Sequence, residues 1–298
     1  MLKIENKIID LINKHIIKIA LLFVTAAAVW SRIRGLNYMG IDYHFSLYDI
    51  PGNCNSYLFR CLVEFLITRY PDGIIALLKI LAYLGDFGVV LLTLILLREK
   101  WPSLNSIPVF FAVTACLLSP VSLLYSVCGM RIDSVSMCLL LLGFVFRRKG
   151  WLIPSVLTSA LAAFLLPAYW PVVILFHVWR VMHSMPVERK MPPHFWTQTF
   201  VPSLILLCLL GISIFADNQA IADGYYWGKV FVVNPAAGSP YTDVGSWLLA
   251  MCRVYGYIFA TLSLILSFYR RKLRIPALTI QLLVLALVGW YQTAHFAV

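Results

Sequence analysis

The chain has 298 residues, of which 61% are apolar and only 12% are charged. A water-soluble domain of this length cannot hide so much apolar surface, so the composition excludes a soluble globular protein and indicates a polytopic membrane protein. The net charge of +11 comes from short basic clusters between apolar runs, which is typical of a membrane protein and argues against nucleic-acid binding.

The first predicted element covers residues 1–18, where polar side chains recur at helical spacing between isoleucines. This pattern predicts an amphipathic helix on the inner leaflet, ahead of the first span. A cleaved signal peptide is the alternative, because Ala26-Ala27-Ala28 resembles a cleavage site, although the long charged start of the chain argues against it.

Nine apolar runs then follow, and a span needs roughly 20 apolar residues. We predict an all-α transmembrane bundle of about nine spans, forming one integral membrane domain over residues 1–298. Residues 151–182 are open to two interpretations, two spans or a re-entrant pair, because Pro167 and Pro171 interrupt them. The predicted spans are 16–33, 74–97, 107–127, 134–147, 151–166, 168–182, 200–216, 246–269 and 276–298.

Lysine and arginine predict the orientation of these spans. Every turn assigned to the inner side carries a basic cluster, as in Arg147-Arg148-Lys149 and Arg270-Arg271-Lys272. The positive-inside rule therefore predicts a cytoplasmic N-terminus. Residues 34–73 and 217–245 become outer loops that are long enough to hold a site.

The first outer loop contains Gly40-Ile41-Asp42-Tyr43, and Asp49 follows shortly afterwards. A carboxylate at the membrane surface is suited to act as a general base toward an acceptor hydroxyl, while a solvated loop aspartate is the simpler interpretation. The sequence leaves open whether Asp42 and Asp49 share a divalent ion. No CxxC pair occurs among the seven cysteines, so no zinc site is predicted; Cys54 and Cys61 share this loop as two thiols or a disulfide.

Three further sets of polar residues lie in or beside the spans. Lys79 and Asp86 are seven residues apart, which places them on one face of a helix, with Asp86 near mid-membrane. We expect Asp86 to face the protein interior and pair with a cation or hydroxyl on another helix. Arg131 and Asp133 are predicted at the outer mouth, where they either bind a phosphate or close the turn as a salt bridge. His295, near the end of the last span, is interpreted as an interfacial residue rather than a catalyst.

The order of these groups resembles the GT-C superfamily of membrane glycosyltransferases, especially bacterial members that use polyprenyl-phosphate sugars, such as mannosyltransferases. Ile41-Asp42-Tyr43 is similar to the family's Gly-Asp-Tyr-like motif after the first span. Leu78-Lys79-Ile80 through Asp86-Phe87 is similar to its Ile-Lys-Leu to Phe-Asp pattern. Ser119-Pro120, Met130-Arg131-Ile132-Asp133-Ser134 and Arg147-Arg148-Lys149-Gly150 follow in the family's order. The similarity covers about residues 20–180.

The resemblance implies a GT-C-like fold in a bacterial plasma membrane, with the site on the outer face. A polyprenyl-phosphate sugar would be the donor, and a glycan, lipid or protein would be the acceptor. Asp42 would be the catalytic base of an inverting transfer. Tyr43, Lys79, Asp86, Arg131 and Asp133 would contact substrate, with Arg131 assigned by us to the departing phosphate. The resemblance implies no definite cofactor. It leaves open whether a divalent metal ion is needed and whether another membrane protein is a partner.

Two other functions fit the same residues. Lys79, Asp86 and Arg131 would form a polar pathway in a transporter of lipid-linked sugars or polar lipids, although no internal repeat is visible. The other function is a non-catalytic membrane scaffold that keeps the fold. The replacement of the family's Trp-Gly-Gln by Gly129-Met130-Arg131 favours it. Labelling of cysteines placed at the pathway residues from both sides of the membrane would identify a transporter. A cellular phenotype that is unchanged in Asp42→Asn would identify a scaffold.

Overall fold

The structure is a computed structural model, and every regular element in the part that it describes is helical. Apolar runs favour helices in a membrane because each backbone N–H and C=O is then satisfied within its own segment. The predicted all-α class is confirmed for these residues. The described residues are 2–36, 59, 62, 65–66, 68–70, 73–98, 107–128, 132–184, 196–216 and 244–296.

Ten α-helices follow one another in these ranges, and each predicted apolar run falls on one or more of them. They are α1 Leu2–Gly35, α2 Ile74–Leu97, α3 Ile107–Leu117, α4 Pro120–Leu123, α5 Asp133–Arg148, α6 Leu152–Leu165, α7 Trp170–Ser184, α8 Val201–Ala216, α9 Val244–Tyr269 and α10 Arg274–Phe296. A π-helical turn, Leu124–Cys128, continues α4, and a second one, Trp196–Phe200, precedes α8.

Among the described residues, three stretches are long and apolar enough to cross a membrane, namely His15–Gly35, Ala76–Leu97 and Ile107–Val127. Five further apolar stretches with described side chains, two of them parts of α9 and α10, have 10–17 residues. Large apolar side chains point outward from many of them, and Leu22, Phe23 and Ile275 are 69%, 70% and 78% exposed. Such surfaces would drive aggregation in water, so they support an integral membrane protein.

Two predicted elements differ in detail from the structure. Helix α1 runs without a break through the boundary expected at residues 16–18, so the amphipathic start and the first span form one helix. The run 107–127 is interrupted at Ser119, whose backbone is extended, and Pro120 starts α4. Proline lacks an N–H and restricts the residue before it, so the helix must restart there.

The proline-containing segment after α6 also breaks the helix. Leu166, which precedes Pro167, has an extended backbone, and a short 3-10 turn, Pro167–Tyr169, leads into α7. The turn is buried, with Tyr169 completely inaccessible. Helix α6 has 14 residues and is therefore about 21 Å long, which is short against a hydrocarbon core of about 30 Å.

Helix α5 lies at the centre of the larger apolar core, between α2 and α6. Met137 and Leu140 of α5 are completely buried there. A smaller core joins α1, α2 and α3 around Ala28, Val90 and Val113. Two hydrogen bonds to the Leu96 carbonyl cap the C-terminal end of α2. Arg148 donates one at 3.3 Å, and the Tyr269 hydroxyl donates the other at 2.7 Å. These bonds satisfy a carbonyl that the end of a helix leaves free.

Candidate functional site

A buried ion pair joins α1 to α2 at the centre of the candidate site. Arg32, near the end of α1, donates from Nη2 to Asp86 Oδ2 at 2.8 Å and from Nε to the same oxygen at 3.2 Å. Both side chains are only 2% exposed. The prediction that Asp86 faces the interior and pairs with a group on another helix is confirmed. The physical reason is that an unpaired charge in this environment is costly.

The second carboxylate oxygen of Asp86 is occupied as well. Ser122 of α4 donates to Oδ1 at 2.7 Å, and the Tyr257 hydroxyl of α9 donates to it at 3.3 Å. Donors from three other helices therefore fill the acceptor sites of one ionised carboxylate. Asp86 could take a proton from a substrate only if these hydrogen bonds broke. The arrangement therefore suits a carboxylate that holds helices together.

The break between α3 and α4 helps to hold the guanidinium of Arg32. Nη1 of Arg32 donates to the carbonyl oxygens of Ala28 and Leu117, both at 3.2 Å. Leu117 is the last residue of α3, where carbonyl groups lack intrahelical donors. Ser119 caps the restarted helix by accepting from the backbone N–H of Ser122 at 3.4 Å. The Ser119-Pro120 break thus supplies the arginine with an acceptor and positions Ser122 beside Asp86.

Lys79 is completely buried on α2, two turns before Asp86. Its Nζ donates to the carbonyl oxygen of Gly35, the last residue of α1. A cation at a helix C-terminus satisfies a free carbonyl and complements the helix dipole. Lys79 therefore fastens the end of α1 at the point from which the chain continues toward Asp42 and Tyr43.

Asp133 is the first residue of α5 and is only 1% exposed. The Tyr169 hydroxyl donates to its backbone carbonyl at 2.8 Å, and the neighbouring Ser134 hydroxyl donates to the carbonyl of Ala82 on α2 at 2.6 Å. These bonds fasten the start of α5 to α2 and to the turn before α7. The structure therefore groups Lys79, Asp86 and Asp133 along α2, between its first turns and its middle.

The remaining predicted site residues lie outside the described residues. They are Asp42, Tyr43 and Arg131, together with Asp49, Cys54 and Cys61. His295 falls within α10, but its side chain is not among those described. Among the side chains that the structure does describe, the acidic ones are Asp86 and Asp133, and both are buried. No group of three or more His, Cys, Asp or Glu that could hold a metal is found in those same ranges.

Sequence reasoning missed three members of the polar network, Arg32, Ser122 and Tyr257. Arg32 passes for an ordinary flanking charge at the end of the first span. The signal that identifies it is its spacing from Thr25 and Ala28, because these positions share one face of α1. Ala28 is completely buried on that face, so Arg32 points into the protein with it. Ser122 and Tyr257 give no comparable signal.

No protein-family model, curated protein or solved structure matches this chain.

Proposed function

We propose that this chain is a GT-C-like membrane glycosyltransferase that moves a sugar from a polyprenyl-phosphate donor to an acceptor on the outer face. Asp42 is the general base. The observation that carries the proposal is the buried polar network along α2, which fixes the end of α1 through Arg32 and Lys79. A catalytic carboxylate needs such a rigid support because its position relative to the substrate decides the rate.

The chemistry requires a carboxylate that an aqueous acceptor can reach. Asp86 is saturated by four contacts, and Asp133 is buried, so neither described carboxylate suits that role. Asp42 lies seven residues beyond Gly35, in the segment that the resemblance assigns to the base. We therefore give Lys79 and Asp86 positioning roles and keep Asp42, Tyr43 and Arg131 for contact with substrate.

In the proposed reaction, the acceptor hydroxyl attacks the anomeric carbon of the sugar and passes its proton to the Asp42 carboxylate. A new C–O bond forms to the acceptor as the C–O bond to the lipid phosphate breaks. The polyprenyl phosphate departs with the bonding electrons, and Arg131 binds it through its fork of donors. A single displacement of this kind inverts the anomeric configuration.

Asp42→Asn is expected to reduce sugar transfer at least about 100-fold, because general-base catalysis typically contributes 10²–10⁴-fold. The measurement is transfer from polyprenyl-phosphate-linked sugars by purified protein in detergent or nanodiscs. Asp72→Asn is the matched control, since it removes the same charge from the other end of the same predicted loop and should stay within about twofold.

Three outcomes of this assay are informative. Equal loss in Asp42→Asn and Asp72→Asn would contradict a base at Asp42. Wild-type turnover that survives in Asp42→Asn would place the base elsewhere. The absence of turnover with any donor would favour the transporter or the scaffold. For a transporter, the site around the Arg32–Asp86 pair must open to each side, so Ser122→Cys, beside Asp86, should react from both sides of the membrane in a variant that lacks the native cysteines.

We further propose nine crossings, with the N-terminus in the cytoplasm and residues 34–73 and 217–245 outside. In a variant that lacks the seven native cysteines, Ser46→Cys and Ser239→Cys should react with an impermeant maleimide on intact cells. Ser184→Cys should react only after the cells are opened. Labelling of Ser184→Cys on intact cells, with protection of the other two, would reverse the orientation.

A further inference from the structure

A second polar site lies at the opposite end of α5, about 21 Å along the helix from Asp133. Here a small cavity opens between α5, α6, α7 and α8, with room for about one water-sized group. Its polar lining consists of Arg147, Ser155, Ser159 and His177, and its remaining walls are apolar. The eight lining residues thus include a guanidinium, an imidazole and two hydroxyls, and no carboxylate.

One hydroxyl of this cavity is buried without a hydrogen-bond partner in the described part of the chain. Ser159 is 3% exposed, and its Oγ contacts no acceptor or donor there. The other hydroxyl is already used, because Ser155 donates to the Gly143 carbonyl at 2.8 Å. Burying an unsatisfied hydroxyl costs about 1–3 kcal/mol, so a polar atom in the cavity that hydrogen-bonds to Ser159 would stabilise it.

The orientation of His177 follows from its neighbours. Ser203 donates its only hydroxyl proton to the Thr199 carbonyl at 2.7 Å, and its oxygen lies 2.8 Å from Nε2 of His177. Ser203 therefore accepts, and Nε2 of His177 carries the proton. This bond holds the imidazole at the cavity, with Nδ1 as its remaining polar atom.

We propose that this cavity binds the phosphate group of an anionic membrane lipid. One phosphate oxygen enters the cavity and accepts from Ser159, while Arg147 at the mouth pairs with the phosphate charge. A guanidinium matches phosphate in geometry as well as in charge, and basic pockets between membrane helices are suited to lipid headgroups. The lining without a carboxylate favours an anion over a cation.

The surroundings of the cavity favour a lipid over free phosphate. The helices that line it also expose apolar side chains, with Leu157 on α6, Leu175 on α7 and Leu207 on α8 at 47%, 67% and 64% exposed. Such surfaces indicate that these helices are surrounded by acyl chains, so lipid phosphates lie near the end of α5 that carries Arg147. The inference stands whether or not the chain transfers sugar, because it uses residues outside the polar network around Asp86, at the opposite end of α5 from Asp133.

The test measures lipid binding by purified full-length protein, using native mass spectrometry and thermal shifts. The probes are phosphatidylglycerol, phosphatidylcholine and inorganic phosphate. Wild-type protein should retain phosphatidylglycerol preferentially and gain thermal stability from it. Arg147→Gln and Ser159→Ala should each weaken that binding about tenfold, as expected for lost hydrogen bonds to a charged group. Lys149→Gln removes the same charge from the same turn but does not line the cavity, and it should change binding less than twofold.

Several results would overturn the proposal. Equal binding of phosphatidylglycerol and phosphatidylcholine would show that no anion is recognised. Equal losses in Lys149→Gln and Arg147→Gln would reduce the effect to general surface charge. Tight binding of inorganic phosphate, with no advantage for the lipid, would overturn the lipid assignment. Circular dichroism and gel filtration identify a misfolded variant, and Ser159→Ala is small enough to keep the test decisive if Arg147→Gln does not fold.

Discussion

Asp86→Ala is expected to lower the free energy of unfolding by about 3–5 kcal/mol, because it leaves the Arg32 guanidinium buried without its carboxylate. The pair is almost inaccessible, so neither water nor a surface counterion can replace the lost partner. A guanidinium does not release its proton in a protein, so Arg32 keeps its charge. The measurement is reversible unfolding of the purified protein in mixed detergent micelles.

The opposite deletion should be milder. Arg32→Met removes the cation that pairs with Asp86, but a carboxyl group without a partner can take up a proton and become neutral. The double variant Arg32→Met/Asp86→Leu should recover most of the stability, because apolar side chains often replace a buried ion pair at little cost. We therefore expect Asp86→Ala to be the least stable of the three.

Arg34→Met is the matched control for this series. Arg34 is exposed on the same helix, two residues from Arg32, and stacks on Trp30 with its Cζ 4.9 Å from the ring centroid. Its removal should change the free energy of unfolding by less than about 1 kcal/mol. A double variant as unstable as Asp86→Ala, or a large effect of Arg34→Met, would contradict a coupled and buried pair.

Hydropathy predicted the helices well because a membrane leaves few alternatives for an apolar segment. The predicted span 74–97 coincides with α2, and Pro167 breaks the helix where the sequence indicated. Hydropathy is less informative about the direction in which a side chain points. The helix face that buries Ala28 and Arg32 depends on contacts with α2 and α3, which an apolar run does not reveal.

The candidate site was predictable only in part, for the same reason. The cost of an isolated charge requires a partner for Asp86, and one is present. The identity of that partner depends on tertiary structure, because Arg32 lies 54 residues earlier and Tyr257 lies 171 residues later. Lys79 was predicted to share a face with Asp86, and both are buried. Its acceptor, a backbone carbonyl at the end of another helix, has no signature in the sequence.

Gly85→Ala is expected to lower the free energy of unfolding by about 3 kcal/mol, at the upper end of the usual cost of overpacking. Gly85 lies beside Asp86, where α2 meets the start of α5. A Cβ at residue 85 would lie 2.6 Å from the backbone nitrogen of Val135 and 2.7 Å from the carbonyl carbon of Ser134. Backbone atoms cannot rotate away, so the two helices must separate. That separation would also disturb the Ser134 bond to Ala82.

Two other glycines make this prediction specific. At Gly88, one turn further along α2, an added Cβ would meet the Cys138 Sγ at 2.5 Å, and that side chain can change rotamer. Gly88→Ala should therefore cost less than about 1 kcal/mol. At Gly211 of α8 no atom of another described residue would lie within 4 Å of the added Cβ, so Gly211→Ala should stabilise the protein by about 0.5–1 kcal/mol through helix propensity alone. Equal effects at Gly85 and Gly88 would contradict a backbone contact between α2 and α5, because only the clash with backbone distinguishes the two positions.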